Sequence, residues 1–255
     1  SKIYLRPFSF VGKREGRKLY LKKEALNLAG GLRYFRNIEI IRRSRSSTDF
    51  FSVKEFLKLA KINKSYKQAL NKITEKRGLF TNKKFFYKKD YVIFGILNIT
   101  PDSFSDGGKY NKKKKAQKHI IEMINSGAKI IDVGGESTRP GSKTVSVKTE
   151  WKRIERIIKN FKKKHKVCLS VDTRKSEIMI KAINCGADLI NDVSGFNYEN
   201  QSLSRLKKYD IVKVLHHMQG TPNTMQKEPK YKDVLLDIYD FFEEDIKKIN
   251  NKKII

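Results

Sequence analysis

Cysteine and histidine are scarce in this sequence, with 2 and 4 residues among 255. Both cysteines, Cys168 and Cys185, stand in apolar-rich stretches. We therefore expect two buried free thiols in a reducing compartment rather than a disulfide or a metal site. The small number of cysteines also argues against a secreted domain held together by disulfides.

Long apolar runs are also missing. No stretch is long enough to span a bilayer, and no long apolar segment of a secretory signal follows the first residues. The 38% hydrophobic and 11% aromatic residues are still sufficient for a packed core. The sequence therefore predicts a soluble cytoplasmic protein without a membrane partner.

Acidic residues are few relative to basic ones, with 27 Asp and Glu against 57 Lys and Arg and a formal net charge of +30. A nucleic-acid-binding surface is one explanation, because a basic surface neutralises phosphates. A general bias towards lysine, asparagine and isoleucine is the other. Lysines occur throughout, without a nucleic-acid motif or regular aromatic interleaving. We favour the compositional bias, with attraction of an anionic substrate as a secondary effect.

The chain divides near Asp90. Residues 1–90 form a predicted small α+β accessory region without a recognisable catalytic motif, and its role stays open. Residues 91–255 instead alternate between strand-like and helix-like stretches. The strands predicted in the first region are 3–10 and 32–41, and its helices are 53–60 and 65–76.

The alternation after residue 91 predicts a parallel sheet with helices outside it, which fits a doubly wound sheet or a (β/α) barrel. The predicted strands are 91–97, 129–133, 167–171, 188–190 and 211–215, with a sixth beginning at 253. The predicted helices are 112–125, 147–163, 175–184, 201–208 and 231–250.

Polar residues at or just beyond the ends of all five strands favour the barrel. They are Asn98, Asp132, Asp172, Asn191 and His216. In a barrel these ends form one ring at one mouth, where active sites of this fold are built, whereas in an open sheet they would spread along an edge. We predict an α/β fold of the (β/α)8 TIM-barrel type. It is incomplete, because about five βα units fit here and a full barrel needs about 250 residues.

Five motifs at the same strand ends resemble those of dihydropteroate synthases. Residues 98–108 read NITPDSFSDGG, and residues 132–141 read DVGGESTRPG. SVDT at 170–173, IND at 190–192 and HMQG at 217–220 follow in the order and spacing of that family. The resemblance covers about residues 91–255 and implies a transferase of folate biosynthesis. Members join p-aminobenzoate to 6-hydroxymethyl-7,8-dihydropterin diphosphate and release pyrophosphate, with Mg²⁺ assisting.

The resemblance also implies roles for residues at the strand ends. Asn98 would be catalytic and bind Mg²⁺, and Thr138 would contact the pterin diphosphate. Asp172 and Asn191 would bind the edge of the pterin ring, with Met218 packing nearby. Independently of the family, a buried aspartate without a partner is costly, so Asp172 is either a ligand site or a paired structural acid. Its place at a strand end favours the ligand site.

Two loops would form the p-aminobenzoate pocket in the same resemblance. Their residues are Phe104, Asp106, Arg139 and Pro140, of which Asp106 and Arg139 would be catalytic. Paired glycines in both loops indicate mobility. An ordinary turn acid is the alternative for Asp106, and a solvated loop charge is the alternative for Arg139.

Four other polar residues lie in or beside the motifs. Asp132 and Glu136 are expected to orient the loops rather than touch substrate. His216 is expected to be a packed or surface imidazole, and His217 matches the family motif with a structural role as the alternative. The resemblance leaves a homodimer open.

Two other functions remain as alternatives. A pterin-binding methyltransferase would share the barrel, but such enzymes lack the combined signature of the first two loops. A non-catalytic basic protein, RNA-associated or scaffolding, could retain a partial synthase barrel. Binding to RNA with a steep salt dependence and without pterin binding would favour it.

The sequence lacks the last motifs of the family: an Asp-Pro-Gly turn at strand six, a Ser-Arg-Lys segment at strand seven and an Arg-x-His at strand eight. We interpret the chain as a synthase truncated at its C-terminus, with an N-terminal extension. We expect these 255 residues by themselves to be unstable or inactive, because a barrel without its last strands leaves two edges unpaired. An assay of pyrophosphate release that gives normal turnover would contradict this.

Overall fold

The chain forms two compact units, residues 1–79 and 80–255. The computed structural model describes residues 2–43, 48–76, 92–100, 109–139 and 141–249, with the backbone alone for 109–113. The predicted domain boundary at 90/91 and the predicted sixth strand lie outside these residues. Within the described ranges, no helix combines the length and apolarity that a membrane crossing needs.

The first unit is an α+β fold, as predicted, and one central strand holds its sheet together. Strand β3 pairs antiparallel with β1, β2 and β4. Helix α2 begins with a capping box, in which Ser52 and Glu55 satisfy each other's backbone N–H groups. The elements are β1 Tyr4–Val11, α1 Lys13–Leu21, β2 Leu26–Asn27, β3 Tyr34–Ile41, β4 Asp49–Ser52, α2 Val53–Ile62 and α3 Lys64–Thr74.

Helix α1 was not expected from the sequence. It is rich in charged residues and has Gly16 near its middle, and its apolar residues stand together in the last three positions, so they do not recur along the helix. The reason for the glycine is tertiary, since a Cβ at this position would overlap the ring of Tyr34 on β3. Glycine thus allows α1 to approach the sheet closely.

The second unit contains a parallel sheet whose strands follow each other in sequence order, β5-β6-β7-β8-β9. A doubly wound sheet reverses its strand order at a switch point, whereas this order is the one that a barrel requires. In the described residues the barrel is not closed. The strands are β5 Phe94–Asn98, β6 Ile130–Gly134, β7 Cys168–Asp172, β8 Leu189–Asp192 and β9 Val212–Leu215. The helices are α4 Lys109–Asn125, α5 Val147–Lys164, α6 Ser176–Asn184, α7 Ser202–Leu206 and α8 Val234–Ile249.

The two faces of this sheet differ because successive side chains of a strand point to opposite sides. The outer face packs against the helices through a core that includes Leu97, Val133 and Val171. The inner face carries a second, smaller apolar cluster of Ile130, Cys168, Leu189 and Val212. Residues two positions further along each strand stay on the inner face and lie closer to the carboxyl ends of the strands, which form the mouth of the sheet.

Both cysteines are free, as expected. Cys168 is fully buried in the inner cluster, and burial raises the pKa of its thiol. Cys185, which follows α6, is only partly buried. The expectation of buried thiols is therefore fully met at Cys168 alone.

A buried charge network joins the end of β7 to the loop after β6. Lys175 Nζ lies 2.9 Å from Glu136 Oε1 and 2.5 Å from Glu150 Oε2. Arg174 Nε donates to Glu136 Oε2 at 2.8 Å, and the backbone N–H of Val145 donates to Glu136 Oε1 at 2.8 Å. Glu136 therefore orients this loop, as predicted.

The pKa values of the two acids in this network move in opposite directions. Burial raises the pKa of Glu136, but hydrogen bonds from Arg174 and Lys175 outweigh it and leave the value below normal. Burial raises the pKa of Glu150, and the contact with Lys175 only partly offsets it. Lys175 thus compensates a buried carboxylate that no other described cation contacts.

Replacing Lys175 by methionine should destabilise the second unit by about 3–5 kcal/mol, because it leaves Glu150 buried without its cation. Urea unfolding followed by Trp151 fluorescence measures this, since Trp151 lies on α5 and is the only tryptophan of the chain. Lys118→Met removes an exposed i,i+4 contact with Glu122 and serves as the control. Equal midpoints for the two variants would contradict the importance of the network.

Candidate functional site

The strand register brings polar residues of three strands, and Gly134 of a fourth, into one row at the mouth of the sheet. Asn98 is paired with Gly134, Gly134 with Asp172, and Asp172 with Asn191. Asp132 lies two residues before the end of β6 and therefore one layer below this row. The prediction that Asp132 sits at its strand end is wrong for this reason.

Gly134 lies between two of these side chains. A Cβ built on this glycine would lie 3.0 Å from Asn98 Oδ1 and 3.4 Å from Asp172 Oδ2. The Asn98 amide and the Asp172 carboxylate therefore face the same small volume above β6. One ligand at the mouth could contact both.

Asp172 differs from its neighbouring acids in its lack of donors. Among the described residues, no group donates a hydrogen bond to its carboxylate. Burial raises its pKa well above the usual value, and the nearby carboxylates of Asp132 and Asp192 raise it further. A buried acid without a partner is costly, and a strongly shifted pKa at a strand end is typical of a ligand-binding or catalytic group.

Asn191 is held from two sides. Its Nδ2 donates to Asp132 Oδ2 at 2.8 Å, and its Oδ1 lies 2.6 Å from His216 Nε2. Ser170 Oγ completes the group by donating to Asp132 Oδ1 at 2.5 Å. Asp132 thus positions Asn191 from the interior, and the expectation that it orients a loop is wrong. Sequence reasoning missed Ser170, although it stands two residues before Asp172 and therefore on the same face of β7.

The two histidines after β9 have different surroundings. His216 is half-buried and contacts Asn191, so it belongs to the polar site rather than to the surface. His217 Nε2 lies 3.0 Å from the hydroxyl of Tyr231, and its ring centroid lies 4.6 Å from that of Phe241. His217 therefore has a structural role, which was the alternative from the sequence.

Thr138 and Arg139 follow β6 in the loop that Glu136 anchors. Thr138 is half-buried and Arg139 is exposed. The backbone N–H of Arg139 is 3.4 Å from Ser137 Oγ. Three other predicted site residues, Phe104, Asp106 and Pro140, lie outside the described residues.

Met218 lines a cavity of about 400 Å³ beside the loops that follow β7, β8 and β9. Arg174, Tyr198 and Phe241 also line it, whereas Asp172 and Asn191 do not. The guanidinium carbon of Arg174 is 4.1 Å from the ring centroid of Tyr198. The structure therefore does not bring Met218 into one cavity with the two residues predicted to bind the pterin edge.

Known proteins share this arrangement. The family described as pterin binding enzyme matches residues 94–254. Dihydropteroate synthase of Escherichia coli (strain K12) is 46% identical over 154 residues, which is 60% of this chain and 54% of the relative. The chain thus spans about half the length of the curated relatives it matches.

Solved structures agree with the sequence relatives. The dihydropteroate synthase of Yersinia pestis with a sulfonamide drug complex is 39% identical, with a TM-score of 0.59 over 64% of this chain and 61% of that one. The Burkholderia cenocepacia enzyme complexed with 7,8-dihydropteroate is 32% identical, with a TM-score of 0.57 over 67% and 58%. The predicted barrel-type fold and the resemblance to dihydropteroate synthases are confirmed. The chain belongs to the family of pterin binding enzymes.

Proposed function

We propose that this protein acts as a dihydropteroate synthase in folate biosynthesis. It would join p-aminobenzoate to 6-hydroxymethyl-7,8-dihydropterin diphosphate and release pyrophosphate. The observation that carries the proposal is the half-buried Asp172 carboxylate, which has no donor among the described residues and lies beside the oriented amide of Asn191. The relatives named above are synthases, which supports this reaction over methyl transfer.

The chemistry of a pterin edge fits these two side chains. Its aminopyrimidinone presents N–H donors next to an acceptor, and a carboxylate accepts while an amide both donates and accepts. Asp172 would take the N–H groups of the ligand, and Asn191 would bind beside it. A ligand without that edge would leave the Asp172 carboxylate unpaired, which gives the site its specificity.

Asn98 and Thr138 would bind the diphosphate end. No three histidine, cysteine, aspartate or glutamate side chains form a metal cluster within the described residues. Asn98 Oδ1 at the mouth is nevertheless an oxygen ligand of the kind that Mg²⁺ accepts, since Mg²⁺ keeps several waters and binds substrate phosphates. When bound there, Mg²⁺ would neutralise charge on the leaving pyrophosphate. Thr138 Oγ1 would donate a hydrogen bond to the same group.

The aminobenzoate pocket remains a prediction from the resemblance. Phe104, Asp106, Arg139 and Pro140 would form it, with Asp106 and Arg139 taking part in catalysis. The exposure of Arg139 next to the anchored stretch around Glu136 leaves its guanidinium accessible to a carboxylate. We also propose a cytoplasmic location, which the two free cysteines support, and a homodimer stays a prediction.

Pterin affinity should rise with pH through the range in which Asp172 titrates, because its raised pKa favours the protonated carboxyl in the free protein, whereas the N–H donors of the ligand favour the charged form. Binding should therefore release protons. Asp172→Asn should weaken binding at least about tenfold, since charge-assisted hydrogen bonds contribute roughly 1.5–3 kcal/mol.

Isothermal titration of 6-hydroxymethylpterin in buffers of different ionisation enthalpy measures both the pterin affinity and the number of protons released on binding. The difference between wild type and variant removes the titration of the ligand itself. Asp210→Asn, an exposed acid, is the matched control. An Asp172→Asn variant with unchanged affinity and the same proton release would refute the role of Asp172.

A further inference from the structure

We propose that His216 is a positioning residue of this site: its imidazole donates from Nε2 to Asn191 and thereby fixes which way the Asn191 amide faces. The geometry of the hydrogen bonds carries this inference. Only the identity of the ligand rests on the proposed function.

Asp132 decides which way the Asn191 amide faces. Burial raises the pKa of Asp132, whereas the hydrogen bonds from Ser170 and Asn191 and the nearby His216 favour its ionised form. An ionised carboxylate accepts hydrogen bonds and donates none. Ser170 Oγ faces one of its oxygens at 2.5 Å and the Asn191 side chain faces the other at 2.8 Å. The atom that Asn191 turns towards Asp132 must therefore be its nitrogen.

The orientation of the amide then decides the role of His216. With Nδ2 on Asp132, the amide oxygen faces His216 Nε2 at 2.6 Å. An oxygen accepts, so Nε2 must carry the hydrogen. Burial lowers the pKa of His216, with Asp132 partly offsetting it, so the ring is neutral near pH 7 and holds one proton. That proton is on Nε2, and Nδ1 is left without one.

Ligand recognition depends on the hydrogen-bonding groups of Asn191 that Asp132 and His216 do not use. One N–H and one lone pair of its oxygen remain for a ligand beside the Asp172 carboxylate. A reversed amide would exchange the positions of donor and acceptor and would put an oxygen against Asp132. The donor–acceptor pattern of the site is thus set jointly by Asp132 and His216, and Asn191 alone does not determine it.

The fold gives His216 this position through the strand period. Asn191 is paired with Val214, and His216 stands two residues later, on the same face. His217 points the other way, towards Tyr231 and Phe241. Of two adjacent histidines, only His216 can reach the site.

The tautomer of His216 can be measured without any ligand. A long-range ¹H–¹⁵N spectrum distinguishes the protonated from the bare nitrogen of each neutral imidazole, and the chain has only 4 histidines. The signal that His216→Gln removes identifies the residue, and His119→Gln, an exposed histidine, is the control for assignment. We expect the proton on Nε2, and a proton on Nδ1 would overturn the proposal.

Two variants test the consequence for binding. His216→Gln can still donate from a side-chain amide, whereas His216→Met fills a similar volume without a donor. We expect the methionine variant to bind 6-hydroxymethylpterin about tenfold more weakly, and the glutamine variant to stay within about threefold of wild type. Equal pterin affinity for both variants would contradict the positioning role.

Unfolding midpoints separate this effect from stability. His216→Met could bind less pterin only because it is less stable. In that case its urea midpoint falls, and binding returns under conditions that restore its stability. This result would also overturn the proposal, because packing alone would then explain the loss of binding. If wild type binds no pterin, the proposed function fails. The spectrum of His216 still decides the inference in that case.

Discussion

The in-register pairing of the parallel strands is the constraint on which the candidate site depends. A register that puts Asn98, Asp172 and Asn191 in one row also puts Leu97 and Val171 under the helices. Because side chains alternate with a period of two, a slip of one residue would turn the polar row into the core. The same backbone hydrogen bonds therefore stabilise the apolar core and assemble the site.

The acids on and around this sheet differ in the donors and cations that compensate their charge. Asp132 is satisfied by Ser170 and Asn191, and Glu136 by two cations and a backbone N–H. Asp172 has no such donor among the described residues. Burying a carboxylate without a partner is costly, so the charged form of Asp172 is disfavoured in the free protein, and a ligand with N–H donors would stabilise it. This asymmetry is the reason why we propose that Asp172 binds the ligand and that its neighbours are structural.

The sequence predicted much of the second unit, for identifiable reasons. Its signals are local, because the apolar strands end in polar residues and the helices are closed by glycine. Every helix and strand predicted between 91 and 249 is therefore found within a few residues of its predicted ends. Helix α1 gave no such signal, because its contact with the sheet depends on a glycine that packs on Tyr34. Strand β4 was also missed, since four residues beside β3 form a pairing that only the partner defines.

The sequence by itself determined the family, the alternation of strands and helices, and the candidates Asn98, Asp172 and Asn191, because these depend on local pattern and on motifs of fixed spacing. Only the tertiary structure decided the partners of these residues. Asp132 lies one layer below the mouth, and His216 contacts Asn191 across 25 positions of chain. Such contacts follow from strand register and from the burial of particular atoms, and no local stretch of sequence encodes either.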